Sequence, residues 1–179
     1  MELKLTLNKN DHLQYQLYKS SKNKKTKRKK IRDRIITSIM MLLLGIVFYL
    51  QSENKIFIII YSIIAVIVFI LYPIYFRILY KRHFSKYIEE SFNEKDEQHC
   101  TLIFENNYIL IKDNESDTEV KININECREI VEIKTNYFIL TGNTSAIILP
   151  RNNETGDFVK ISEKEHEIKI NAELEWKWK

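Results

Sequence analysis

The sequence predicts an α+β membrane protein, with an antiparallel transmembrane helical hairpin followed by a small antiparallel β domain closed by a C-terminal helix. Three observations carry this. Ile56 to Phe76 reads IFIIIYSIIAVIVFILYPIYF without a charge, Ile35 to Leu50 reads IITSIMMLLLGIVFYL, and beyond Cys100 short apolar runs alternate with turn residues. The mean hydropathy of −0.29 conceals the pattern, because the apolar residues are concentrated in one zone and the charges are separated by sign.

The first element is a strand. Glu2 to Leu7 alternates, with Leu3, Leu5 and Leu7 on one face. Three leucines left exposed beside a membrane favour aggregation, so this strand is expected at an edge of the distant β domain's sheet, with the hairpin inserted between the two. Asn10 or Asp11 offers an N-cap, and Leu13, Tyr15, Leu17 and Tyr18 follow at roughly helical spacing. The expected helix runs from Asp11 through the basic run into the first span.

That basic run sets the orientation. From Lys19 to Arg34 there are ten Lys or Arg and one acid, Asp33. After the second span come Arg77, Lys81, Arg82 and Lys86. Basic flanks stay on the cytoplasmic side, so both termini are expected there, in a multi-pass protein of the cell membrane. The membrane-surface contacts expected from this are Lys24, Lys25, Lys27, Arg28, Lys29, Lys30, Arg32, Arg34, Arg77, Lys81 and Arg82, facing anionic headgroups. No aromatics interleave the charges as nucleic-acid stacking requires, so nucleic acid is not an expected partner. The region is too long, and its apolar core too late, for a secretory signal.

The spans are residues 35–50 and 56–76. The second offers about 32 Å of helix against a hydrocarbon core of about 30 Å. The first is shorter, and Arg32 and Arg34 extend it by snorkelling. Gln51 to Lys55 is polar and short, so the two helices are antiparallel neighbours. The expected organisation is 1–34, the N-terminal strand and basic helix; 35–76, the hairpin; and 77–179, a helical extension to about Asn93 and the β domain.

Beyond it the period changes to that of strands. Cys100 to Glu105, Tyr108 to Ile111, Val120 to Ile122, Glu129 to Lys134, Tyr137 to Leu140 and Ala146 to Leu149 read as six strands. Turn signals separate them at Asn106-Asn107, Asp113-Asn114, Asn136 and Gly142-Asn143, and Pro150 ends the last strand. In the tail, Phe158, Ile161, Ile168 and Ala172 have helix-like spacing, while Ile168-Lys169-Ile170 also alternates like a strand; a C-terminal helix over about 157–178 is the expectation. Six strands, an N-terminal strand and a final helix suggest a pleckstrin-homology-like fold.

The chain resembles the YcxB-like family of bacterial membrane proteins. The resemblance rests on the early strand followed by Asp11-x-x-x-Tyr15-Gln16-Leu17-Tyr18, the basic run and the tight hairpin. It rests also on Ile130-Val131-Glu132, Tyr137-Phe138-Ile139-Leu140 and Ser145-Ala146-Ile147-Ile148-Leu149-Pro150-Arg151. It implies two membrane helices and a pleckstrin-like cytoplasmic domain, with no catalytic residues. The sequence departs from it at Ile124-Asn125-Glu126-Cys127, and in a loop from Arg151 to Asp157 longer than the family pattern.

Chemistry is sparse. His12, His83, His99 and His166 lack ligand spacing, and Gly45, Gly142 and Gly156 form no phosphate-binding motif. Cys100 and Cys127 are expected as reduced thiols packed like small hydrophobes. No catalytic residue, metal or cofactor is expected. From Tyr87 onward 20 acids face 11 bases, which disfavours binding of that half to anionic partners through bulk charge. The expected function is a non-enzymatic binding or regulatory module on the cytoplasmic face, its protein partner unidentified. The alternative, by fold analogy, is an immunity or resistance protein that shields the membrane from a bacteriocin or toxin.

Overall fold

The computed structural model describes residues 2–92, 97–105, 107–114, 118–142, 145–166 and 168–178. The turn residues Asn106 and Asn143, and the expected helix end at Asn93, lie outside them. The elements run β1 (Glu2–Asn8), α1 (Lys9–Lys22), α2 (Lys24–Ser52), α3 (Ile56–Ser91), β2 (Glu97–Glu105), β3 (Tyr108–Asp113) and β4 (Glu119–Asn123). A 3₁₀ turn (Ile124–Glu126) leads to β5 (Cys127–Glu132), β6 (Asn136–Thr141), β7 (Ser145–Pro150), α4 (Asn153–His166) and β8 (Ile170–Ala172). The chain packs as two units: Met1–Gln16 with Phe84–Lys177, and Leu17–His83 with Trp178–Lys179.

The first unit is built on two four-stranded sheets, ordered β1-β2-β3-β4 and β7-β6-β5-β8. β1 is the expected edge strand. Leu3, Leu5 and Leu7 are buried between exposed neighbours, and Leu3 and Leu5 sit opposite Leu102 and Cys100 of antiparallel β2. β1 also runs alongside β7, where the two sheets meet. β6 is an inner strand whose edges pair with β5 and β7, and its two faces are covered by packing; Phe138 and Ile139 are fully inaccessible. Phe158 of α4 meets Phe104 of β2 edge-on, ring centroids 4.9 Å apart, and fixes the helix on the core.

Three expectations about this unit are corrected. The β layer is not one antiparallel sheet: after α4 the chain returns to the free edge of β5 and pairs with it in parallel as β8, Ile130 opposite Ile170. An uncovered β5 edge would leave backbone groups unpaired, so the strand-like alternation of Ile168 to Ile170 prevails and the helix ends at His166. The loop after β7 is short, not long, because α4 starts at Asn153 and takes in Gly156. A reciprocal cap starts it: Thr155 N–H donates to Asn152 Oδ1 (2.8 Å) and Asn152 N–H to Thr155 Oγ1 (3.0 Å). α1 begins the same way, and its cap is Asn8 rather than Asn10 or Asp11. Asp11 N–H donates to Asn8 Oδ1 and Asn8 N–H to Asp11 Oδ2, both at 3.0 Å.

The second unit contains α2 and α3 as far as His83; the helices have 29 and 36 residues, and both are long and apolar enough to cross a membrane. Three residues, Glu53 to Lys55, join them. Glu53 takes the left-handed conformation (φ 55°) and donates its N–H to Tyr49 O, ending α2. Asn54 Oδ1 accepts from Ile56 N–H and starts α3. The single helix expected from Asp11 into the first span is two helices. Asn23 breaks it, because its Oδ1 accepts from Lys25 N–H (2.8 Å) and opens α2 afresh. Near the turn Gly45 is buried, and a Cβ there would lie 2.7 Å from Tyr61 Cβ, so the glycine sets how closely the helices approach.

Candidate functional site

The basic residues gather at one end of the hairpin. Contacts between Gly45 and Tyr61, Arg34 and Phe69, and Lys30 and Phe76 run in antiparallel order. Arg77, Lys81 and Arg82 of α3 therefore stand at the same end as residues 24–34 of α2. Lys24, Lys25, Lys27, Arg28, Lys29, Arg32, Arg77, Lys81 and Arg82 are exposed. Lys30 and Arg34 are half-buried and engage aromatic rings, Lys30 Nζ 5.8 Å from the Phe76 centroid and Arg34 Cζ 3.6 Å from that of Phe69.

Arg34 has a second role that the sequence reading missed. Pro73 sits inside α3 and has no N–H for the carbonyl four residues earlier, that of Phe69. Arg34 Nε donates to that oxygen at 2.7 Å. A carbonyl orphaned within an apolar helix costs several kcal/mol in lipid, and the guanidinium supplies the missing donor. The clue was legible: the carbonyl four residues before a proline in a long apolar helix needs a partner, and Arg34 of the neighbouring helix supplies it.

The tail contributes to this unit as well. Trp178 is buried, its Nε1–H donates to Arg77 O (3.1 Å), and its ring lies 6.1 Å from that of Tyr80.

Within the β-sheet unit the polar groups are mainly structural. Asn136 is fully buried on β6, and its Nδ2 donates to Asp11 Oδ1 at 2.7 Å, tying the start of α1 to the second sheet. Asp11 thus serves the cap with one oxygen and the sheet with the other. An apolar cleft of about 440 Å³ opens near β1, β2 and β7, lined by Leu5, Leu102 and Ile147 with His12 on its wall. His12 Nε2 is buried and has no hydrogen-bond partner among the described residues; the ring packs edge-on against Phe92. Burial lowers its pKa, opposed by the charge of Asp11. Cys100 and Cys127 are free thiols. Burial, aided by the charges of Asp113 and Glu126 respectively, pushes each up to about 11, where it is a poor nucleophile near neutral pH. A second, more polar cleft of about 800 Å³ lies beside α4, with the Glu132–Arg151 ion pair (2.9 Å) on its wall. Among the described residues, β4 and β8 end their sheets and pair on one side only.

Compared with family models, curated proteins and solved structures, the chain matches none.

Proposed function

We propose that the chain is a membrane-anchored, non-enzymatic binding or regulatory module of the inner face of a bacterial cell membrane, of YcxB-like type. The hairpin is the anchor, the basic end meets anionic headgroups, and a pleckstrin-like β domain offers edge strands to a protein partner. One observation carries the reading. α2 and α3 expose Ile and Leu along most of their lengths, with Leu50 72% and Ile70 61% exposed, and exposed bases crowd one end only. In water such a surface would aggregate; in a bilayer it is the ordinary exterior of a hairpin. The sheet order β1-β2-β3-β4, the antiparallel run β7-β6-β5 to which β8 is added, and the helix after β7 support the pleckstrin-like reading. The edge of β4 away from β3, open among the described residues, supports strand addition as the binding mode.

The orientation is tested with a reporter active only outside the cytoplasm. Fused after Lys179 it is silent, and inserted at Ser52 it is active. Activity after Lys179 would overturn the assignment of both termini and of the basic end.

A further inference from the structure

A groove between α2 and α3, of about 650 Å³, opens on the flank of the hairpin. Its apolar wall includes Ile36, Ile67 and Leu71, and at its basic end stand Asp33, Tyr72 and Tyr75. Asp33 is the sole acid between Asp11 and Glu53, amid ten bases, and lies two residues before the first span. An acid there weakens the positive flank that orients the hairpin, and an ionisable group at membrane depth calls for a named partner. Arg32 supplies part of one: its Nε lies 3.1 Å from Asp33 Oδ1, but the arginine side chain is 67% exposed, against 26% for the aspartate. Oδ2 has no partner among the described residues. Thr37 does not serve it, because its hydroxyl donates to the Asp33 backbone carbonyl (2.7 Å).

We propose that this groove binds a phospholipid of the bilayer whose headgroup carries a primary ammonium, held at Asp33. The inference rests on the membrane-spanning reading. The ammonium donates to the free carboxylate oxygen, the adjoining bases of α2 neutralise the lipid phosphate, and the two tyrosines, with rings 6.0 Å apart, lie at the level where interfacial aromatics meet the glycerol region. The acyl chains continue along Ile36, Ile67 and Leu71. Charge complementarity selects this occupant. An anionic lipid without an ammonium is drawn to the basic end as a whole but brings no cation to Asp33. A quaternary ammonium has no N–H to donate. A cationic peptide would leave the apolar wall, which faces sideways, without acyl chains to cover it.

The test is native mass spectrometry of the full chain in mild detergent. It is supplied with equal amounts of phosphatidylethanolamine, phosphatidylcholine and phosphatidylglycerol bearing identical acyl chains. Phosphatidylethanolamine should be retained about five-fold over phosphatidylcholine, below the tenfold or more of an unshared charge-assisted hydrogen bond because Arg32 shares the carboxylate. Asp33→Asn should abolish that preference while total lipid retention persists. Arg32→Gln should raise it by removing the competitor, a change of sign that a merely structural role for Asp33 does not give. Equal retention of the ethanolamine and choline lipids, a preference that survives Asp33→Asn, a fall with Arg32→Gln, or displacement of bound lipid by an equimolar cationic amphipathic peptide would each overturn the proposal and leave the membrane reading standing. No retention of any lipid would overturn both.

Discussion

The two units turn their apolar side chains in opposite directions. In the β-sheet unit apolar side chains turn inward: Leu102, Ile109, Ile130, Phe138, Ile139 and Leu149 are wholly inaccessible. In the hairpin they turn outward, and Gly45 is the sole buried residue of α2. Their charges differ likewise, with 15 bases against 2 acids in the hairpin unit and 13 against 22 in the β-sheet unit. What the units share is the treatment of polar backbone. Asn8, Asn23, Asn54 and Asn152 each take a helix-start N–H, and Arg34 takes the carbonyl that Pro73 releases. Burial of apolar surface is the negotiable quantity between water and lipid, whereas backbone satisfaction is required in both.

The comparison can be broken most severely at β1. Its three leucines belong to the β-sheet unit although the hairpin intervenes in the chain, and burying each is worth about 1.5–3 kcal/mol, against a small domain's total of about 5–15 kcal/mol. Deleting residues 1–9 should therefore strip protease protection from the Cys100 to Leu149 region of the detergent-solubilised protein. Equal protection with and without the deletion would show that the sheet stands without its first strand.

A smaller effect sharpens the backbone half of the comparison. Arg34→Gln should destabilise the hairpin by about 1 kcal/mol, in the range of polar contacts between membrane helices. Pro73→Ala restores an N–H to the Phe69 carbonyl, so in that background the cost of Arg34→Gln should shrink toward zero. A double-mutant cycle of unfolding in mixed micelles reads this directly, and strict additivity of the two substitutions would rule out the carbonyl as the reason for the arginine's position.

The smallest effect is a pH dependence confined to the β-sheet unit. His12 has a folded pKa below 6.5 because burial disfavours its cation, so the unfolded chain binds the proton more readily. Its contribution is complete above pH 6.5 and is lost as the pH falls from there through the lowered folded value. The melting temperature of the sheet unit should fall on acidification over that window, and His12→Phe should flatten the fall. An unchanged slope in the variant would place the acid sensitivity elsewhere.

Much of this was legible in the chain. The alternation of Leu3, Leu5 and Leu7, the two uncharged runs, the polar turn and the succession of short strands depend on local periodicity, which each segment carries by itself. The helix starts were legible in principle, since Asn8-x-x-Asp11 and Asn152-x-x-Thr155 are both reciprocal caps. They were obscured by neighbouring asparagines and an aspartate with equal claim to cap or turn. Tertiary structure alone decided the rest. The tail at Ile168 to Ile170 fits helix and strand alike, and the vacant edge of β5 settles it. The buried pairing of Asp11 with Asn136 spans 125 positions, and the Asp33 groove exists only when two helices lie side by side. Sequence determines what a segment can form by itself; which unpaired edge, carbonyl or carboxylate it meets is set when distant segments are brought together, and a one-dimensional pattern holds no record of that distance.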